Sequence, residues 1–468
     1  MPTQPPEERV KNFREVSLGY SPETARREAS RCLQCRHRPC TKGCPVGIDI
    51  PGFVRLVAEG DFAGAAAVIR QDNTLPAVCG RVCPQEVQCE SLCVLGRKGQ
   101  PVAIGNLERF AADWERENRE DAASKPVSVN GKKKGKVAVV GSGPAGLTAA
   151  AELNRLGYGV TIFEALHTPG GVLAYGIPEF RLPKDILAHE FKELERQGVE
   201  LRTNVLIGST LTVDDLFAQG FQAVFLGTGA GLPNLLGIPG EDLNGVYTAN
   251  EFLTRVNLMK AYLYPQVDTP LYLGKRVVVI GGGNTAMDAA RTAVRLGSEV
   301  MVVYRRSREN LPARREEVLH AEEEGVEFRF LASPIAIRGD EQGWVEAIQC
   351  VNMELGEPTE NGRQGVKPIA GSEHWLPADS VIVAIGQGPN PIISRTTPGL
   401  ETGLHGVLKV APETFMTTRE GVFAAGDIIT GGATVIKAMG GGKKAAQAID
   451  RYLRHKNSRL IGQSIGEV

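Results

Sequence analysis

The sequence predicts an α/β fold: an N-terminal helical domain rich in cysteine, then two Rossmann-like dinucleotide-binding domains, the second inserted in the first. Three observations carry that expectation. In Val137-Ala-Val-Val-Gly-Ser-Gly-Pro-Ala-Gly146 a buried-strand run leads straight into glycines at the G-x-G-x-x-G spacing. A second apolar run, Arg276 to Ile280, leads into Gly281-Gly-Gly-Asn-Thr-Ala-Met-Asp288, the same pattern with alanine in the third place. Eight of the 9 cysteines lie between Cys32 and Cys93, in two groups that each contain a Cys-Pro step.

A chain of 468 residues has room for two to four domains, and the spacing of motifs places them at 1–125 (helical, cysteine-bearing), 136–255 and 381–455 (the two parts of the first dinucleotide domain) and 256–380 (the insert). Lys+Arg 53 against Asp+Glu 54 gives no footing for a nucleic-acid or anionic-membrane partner. No apolar run is long enough to span a bilayer, and Met1-Pro-Thr-Gln-Pro-Pro is not a signal peptide, so a cytoplasmic location is expected.

In chain order, Ser21 can cap a helix from Pro22 to Ser30. The first cysteine group is Cys32, Cys35, Cys40 and Cys44-Pro45; the second is Cys79, Cys83-Pro84, Cys89 and Cys93. Helices are expected at Ile50–Ile69 and Val102–Glu117, so the cysteines sit on loops of a small helical scaffold. Clustered cysteines in a cytoplasmic chain point to metal. Zinc favours two C-x2-C pairs or Cys/His mixtures. The asymmetric spacing with Cys-Pro steps instead resembles bacterial ferredoxin runs, which implies two [4Fe–4S] clusters with exchanged ligands. Structural zinc and unbound thiols are the competing readings. His37 reads as a solvated loop residue and Cys350 as a core residue. A polar linker with a short basic run covers Asp121 to Lys136.

In the first dinucleotide unit Gly141 makes the tight turn, Gly143 lets the backbone approach a pyrophosphate, and Gly146 lets helix and strand pack closely. A helix from Leu147 to Leu156 and a strand from Gly159 to Phe163 deliver Glu164, an acid placed to accept both hydroxyls of an unphosphorylated adenosine ribose. Gly170-Gly171 allows a second close approach of backbone, and Gly176 to Pro183 is an irregular loop. Phe221 to Leu226 is a strand running into Gly227-Thr228. In the second unit Gly281, Gly283, Asn284 and Thr285 form the phosphate turn, and the following strand, Glu299 to Tyr304, ends on Arg305-Arg306 where an NAD site would place an acid. Arginine there fork-binds a 2′-phosphate, so this site should take NADPH; the alternative is that both side chains merely face water. Arg308, Arg314 and Arg315 are nearby candidates. Residues 326–380 read as short strands, Asp379 to Ile385 returns to the first domain, and Val422 to Asp427 is a strand stopping at Gly426-Asp427. A helix opens near Thr434 and Val435, and a loose tail is expected from Lys456.

The cysteine groups, the two dinucleotide motifs and the Ala-Ala-Gly-Asp ending, in this order, resemble the family of glutamate synthase small (beta) subunits over nearly the whole chain. They are similar above all to the large subunit of NADH-dependent ferredoxin:NADP oxidoreductase, and also to the N-terminal part of dihydropyrimidine dehydrogenase. The resemblance implies one cluster on Cys32, Cys35, Cys40 and Cys93. It implies a second on Cys44, Cys83 and Cys89, completed by Glu108 from the following helix, with Cys79 spare; the alternative is Cys79 as ligand and Glu108 as a solvated helix residue. It implies FAD on the first motif, with Gly171, Thr228, Gly426 and Asp427 around it and the helix start at Thr434 and Val435 facing the flavin ring. Electrons would pass between NADPH and a second redox subunit (a flavoprotein, a ferredoxin-type protein or the glutamate synthase large subunit) through FAD and the clusters, and bifurcation is compatible with the resemblance. Because this chain lacks an N-terminal glutaminase cysteine and the length for a barrel, it is not expected to make glutamate alone. A zinc-bearing, non-catalytic binding scaffold is the reading from another class.

Overall fold

A computed structural model describes residues 1–118, 133–358 and 364–465. The expected linker from Asp121 falls outside the described residues as far as position 132. Ser21 caps α1 (Pro22–Ala29) by accepting from Thr24 N at 3.3 Å. The helix expected from Ile50 to Ile69 is broken into α2 (Ile50–Glu59) and α3 (Phe62–Asp72). Gly60 takes the left-handed conformation (φ +88) and Asp61 caps the new start by accepting from Gly64 N at 2.8 Å. α4 (Pro76–Val82) and α5 (Ile104–Asn118) complete the helical scaffold.

The first sheet has, among the described residues, five parallel strands. In chain order they are β1 (Lys136–Val140), β2 (Gly159–Phe163), β3 (Glu200–Arg202), β4 (Ala223–Leu226) and, far downstream, Val422–Ala424. The last pairs with β4, so the second sheet, which lies between them in sequence, is an insertion, and Ile393 and Leu408 beyond it return to the first domain's core. The insert holds a second parallel sheet of the same kind: β5 (Val246–Thr248), β6 (Arg276–Ile280), β7 (Glu299–Tyr304), β8 (Glu327–Phe330) and Ser380–Val383, with the last strand between β5 and β6. An antiparallel sheet built on Ala332–Gly339 and Val345–Pro358 closes the insert. Each first unit is the expected strand–turn–helix: α6 (Pro144–Arg155) follows β1, and α7 (Asn284–Arg295) follows β6. The buried runs Val137–Val140 and Val277–Ile280 are why these strands sit at sheet centres.

The final helix, α8, runs from Val435 to Ile465, so the segment from Lys456 continues as helix instead of a loose tail; Ala445, Ala446, Ile449 and Leu453 bury its face. The helical scaffold is not a separate body. Phe53, Ile69 and Leu107 share one apolar core with Val137, Leu147 and Met439. None of the described helices is long and apolar enough to cross a membrane.

Candidate redox centre: a dinucleotide crevice, a nucleotide cleft and two thiol clusters

In the first crevice each glycine does steric work. Gly141 has φ +95, and a Cβ there would lie 2.6 Å from Gly227 O; a Cβ on Gly146 would lie 1.9 Å from Gly141 O. Gly143 precedes α6 with nothing within 4 Å of the missing Cβ, which leaves the helix N-terminus open to an anion. Glu164 is buried; its Oε2 accepts from Ser142 N at 3.0 Å and from Ser142 Oγ at 2.5 Å, and its Oε1 accepts from Leu166 N at 2.9 Å. The acid therefore staples the loop, with carboxylate lone pairs to spare. A Cβ on Gly171 would lie 3.1 Å from Gly143 Cα, Thr228 Cα lies 3.1 Å from where a Gly141 Cβ would be, and a Cβ on Gly426 would lie 2.9 Å from Ala145 Cβ. These positions, 285 residues apart at the extremes, converge on one loop. Asp427 beside them is pushed up to about 6 by burial, against a hydrogen bond from Ala433 N. Thr434 and Val435 stand at the start of α8; Lys437 N donates to Thr434 Oγ1 at 3.4 Å.

The insert carries a cleft of ≈ 790 Å³ lined by Gly281, Gly283, Thr285, Arg305 and Arg306, and reaching Gly432 of the first domain. Arg305 is exposed and makes no ion pair among the described residues; Arg306 donates from Nε to Gln364 O at 2.7 Å, which orients its outer nitrogens. The other arginine candidates differ. Arg308 is paired with Glu322, Arg315 is exposed outside the cleft lining, and Arg314 turns away to the helical domain, donating to Arg81 O at 3.1 Å and Gln85 Oε1 at 3.2 Å. Asn284 is not in the cleft lining either: its Oδ1 accepts from Arg314 N at 2.9 Å and fixes that loop.

Cys32, Cys35, Cys40 and Cys93 line a single apolar cavity floored by Ile50, Val54 and Ile104. Burial, reinforced by the neighbouring thiols of Cys32 and Cys93, pushes Cys40 up to about 11. Cys44, Cys83, Cys89 and Glu108 form a second group: the charge of Glu108 adds to burial in raising all three thiols, and Cys83 is raised first by its hydrogen bond with Cys79. Glu108 is itself buried and pushed up to about 8, so it is not a solvated helix residue. Among the described residues no three Cys, His, Asp or Glu side chains are grouped as round a single metal ion. Four soft donors round one apolar cavity suit an iron–sulfur cubane. His37 is exposed and Cys350 fully buried, as expected.

α8 joins the three zones. Its approach begins at Gly432 in the nucleotide cleft; its first turns bring Met439 Sδ to 3.5 Å from Cys79 Sγ. Three successive glycines follow. A Cβ on Gly440 would lie 2.7 Å from Pro45 O, next to Cys44, and one on Gly442 would lie 2.3 Å from Ala145 O of α6. A second joint is ionic: Arg181, in the Gly176–Pro183 loop, pairs with Asp288 of α7 at 2.6 Å, and Arg9 of the N-terminal segment pairs with Glu324 at 2.8 Å, beside Arg291 and Arg295. Sequence reasoning missed both joints. Gly440-Gly-Gly442 inside an otherwise helical segment was the available signal, because glycine there costs about 1 kcal/mol each relative to alanine unless close packing needs it.

Two nested dinucleotide domains behind a cysteine-bearing helical domain define a flavoprotein-type oxidoreductase with an iron–sulfur module. Residues 9–120 match the family described as dihydropyrimidine dehydrogenase domain II, 4Fe-4S cluster, and residues 135–442 match pyridine nucleotide-disulphide oxidoreductase. The chain is 40% identical over 461 residues to the glutamate synthase [NADPH] small chain of Halomonas elongata, covering 96% of this chain and 95% of that one. It is 41% identical to the NADP(+)-dependent formate dehydrogenase subunit beta of Moorella thermoacetica over 89% of this chain, and spans only 60% of that longer subunit. The solved structure of Mycobacterium tuberculosis FprA in complex with NADPH superposes with a TM-score of 0.58 at 22% identity, over 70% of this chain and 86% of that one, which shows the shared fold. The chain belongs to the glutamate synthase small-subunit-like family of pyridine nucleotide-linked, 4Fe-4S oxidoreductases.

Proposed function

We propose that the protein moves electrons between NADPH and a partner redox subunit through FAD and two [4Fe–4S] clusters. FAD, when bound, supplies the exchange between hydride pairs and single electrons that neither nicotinamide nor iron–sulfur chemistry makes alone. The chain's own residues bind and orient. Gly141, Gly143, Gly146, Glu164, Gly171, Thr228, Gly426, Asp427, Thr434 and Val435 would hold FAD; the free N–H groups opening α8 would favour negative charge on the flavin ring. Gly281, Gly283 and Thr285 would take the NADPH pyrophosphate with Asn284 bracing their loop, and Arg305 and Arg306 the 2′-phosphate. Cys32, Cys35, Cys40 and Cys93 would hold one cluster, and Cys44, Cys83, Cys89 and Glu108 the other.

The observation that carries this reading is α8: one helix whose lead-in borders the nucleotide cleft and whose first turns touch Cys79 and the Cys44–Pro45 step. On this reading the Cys44 group, with Cys83 and Cys89 buried, would lie on the flavin side and the half-buried Cys32 group towards a partner. Anaerobically purified protein should contain flavin, iron and acid-labile sulfide, and NADPH should bleach the flavin band. Protein without iron, or with zinc in its place, refutes the reading. Electron input to a glutamate synthase large subunit is a second reading, favoured by the near end-to-end match with the Halomonas small chain; co-purification of an amidotransferase chain separates the two.

A further inference from the structure

Asn73 is fully buried at the end of α3. The main chain fixes which way its amide points. Leu75 N–H can only donate, and it donates to Asn73 Oδ1 at 2.9 Å. The amide nitrogen therefore faces the other way, and donates to Glu108 Oε1 at 2.6 Å. The same Oδ1 lies 3.7 Å from Cys79 Sγ. One side chain thus offers a donor to Glu108 and an acceptor to Cys79.

Those are the two side chains that compete for the fourth place beside Cys44, Cys83 and Cys89. Asn73 treats them unequally. Its NH2 engages Oε1, and no hydrogen bond to Oε2 is seen among the described residues, which leaves that oxygen free for iron. Its Oδ1 instead accepts from Cys79 Sγ at 3.7 Å, and Met439 Sδ lies 3.5 Å from the same sulfur.

Resting on the iron–sulfur reading above, we propose that Asn73 is the positioning residue that selects Glu108 over Cys79 as the fourth ligand of the Cys44, Cys83 and Cys89 cluster. It holds one carboxylate oxygen through its NH2 and engages the Cys79 sulfur through its Oδ1.

The test uses anaerobic, cluster-loaded full-length protein, read by EPR and Mössbauer spectroscopy and by redox titration. Asn73→Leu, close in volume, removes both hydrogen bonds. The expected result is a changed EPR line shape and a shifted midpoint potential for one cluster, with the other cluster and the flavin as in wild type. Cys79→Ala alone should leave the wild-type spectrum, whereas Asn73→Leu with Cys79→Ala should abolish the new signal. An Asn73→Leu spectrum and potential identical to wild type, or loss of a cluster in Cys79→Ala alone, overturns the proposal. Should Asn73→Leu not fold, Asn73→Asp keeps the acceptor for Leu75 N–H and turns a second acceptor on Glu108, and the same change in one cluster is expected; an unchanged spectrum there overturns the proposal too. A wild-type protein without iron and sulfide would strike the iron–sulfur reading itself, a result separate from either of these.

Discussion

Replacing Arg305→Ala together with Arg306→Ala tests the assignment of the nucleotide cleft. Arg306 is half-buried and its Nε is already committed to Gln364 O, so its outer nitrogens are held ready. A charge-assisted hydrogen bond in such a setting contributes about 1.5–2.5 kcal/mol. Arg305 is exposed, so solvent screening limits it to about 0.5–1 kcal/mol. Together they amount to about 2–3.5 kcal/mol, or about 30- to 300-fold in affinity at 1.4 kcal/mol per tenfold. None of this is available to NADH, which lacks the 2′-phosphate. Anaerobic stopped-flow reduction of the flavin, titrated with each nucleotide, should show NADPH weakened by that factor and NADH altered by less than about threefold. High salt should shrink the wild-type preference in the same direction. An equal loss for both nucleotides would refute the 2′-phosphate role and return both arginines to the solvated surface.

Glu108→Ala should alter the EPR signal of one cluster while flavin content stays at the wild-type level; unchanged cluster spectra would pass the ligand role to Cys79. Gly442→Ala sets a methyl 2.3 Å from the Ala145 carbonyl of α6. Because backbone cannot step aside cheaply, a destabilisation of about 1–3 kcal/mol and reduced flavin retention on gel filtration are expected; full retention with an unchanged melting temperature would show that α8 does not press on α6. Glu317 is held down to about 2, below its ordinary 4.5, because Arg181, Arg291 and Arg314 outweigh a burial that opposes them. A lowered carboxyl stabilises the fold above about pH 4.5 and loses that effect as pH falls towards about 2, to the extent of about 3 kcal/mol. The gap in denaturation midpoint between wild type and Glu317→Gln should therefore narrow from pH 6 to pH 3, and a constant gap would contradict it.

What could be read in the sequence was whatever local geometry dictates. Gly141 and Gly146 must be glycine because neighbouring carbonyls leave no room for a Cβ, and that demand writes itself into the six residues from Gly141 to Gly146. Glu164 and the Arg305-Arg306 pair follow from the length of one βαβ unit. The cysteine groups were visible as groups because thiols are rare. Asn73 was not visible, since its importance comes from Glu108, 35 positions away, and nothing in the spacing marks that pairing. The contact of Cys79 with Met439 spans 360 positions and has no periodicity at all. Arg314 lay in the right window for a phosphate ligand, yet Gln85 and Glu86 of the helical domain claim it. The division at Gly60-Asp61 was legible as a left-handed stop followed by a cap, but the apolar pattern on either side runs in phase and hides it.

The pairing of β4 with Val422–Ala424 has a consequence for how the protein is made. On the ribosome, β4 emerges with one edge bare, and the strand that covers it is synthesised only after the whole insert. The insert holds its own complete sheet and can close first, as an autonomous unit. The first crevice and the floor beneath the Cys44 loop both need α8, which follows every strand of both parallel sheets. A nascent chain stalled short of Val435 would thereby carry a finished nucleotide domain between two unfinished halves.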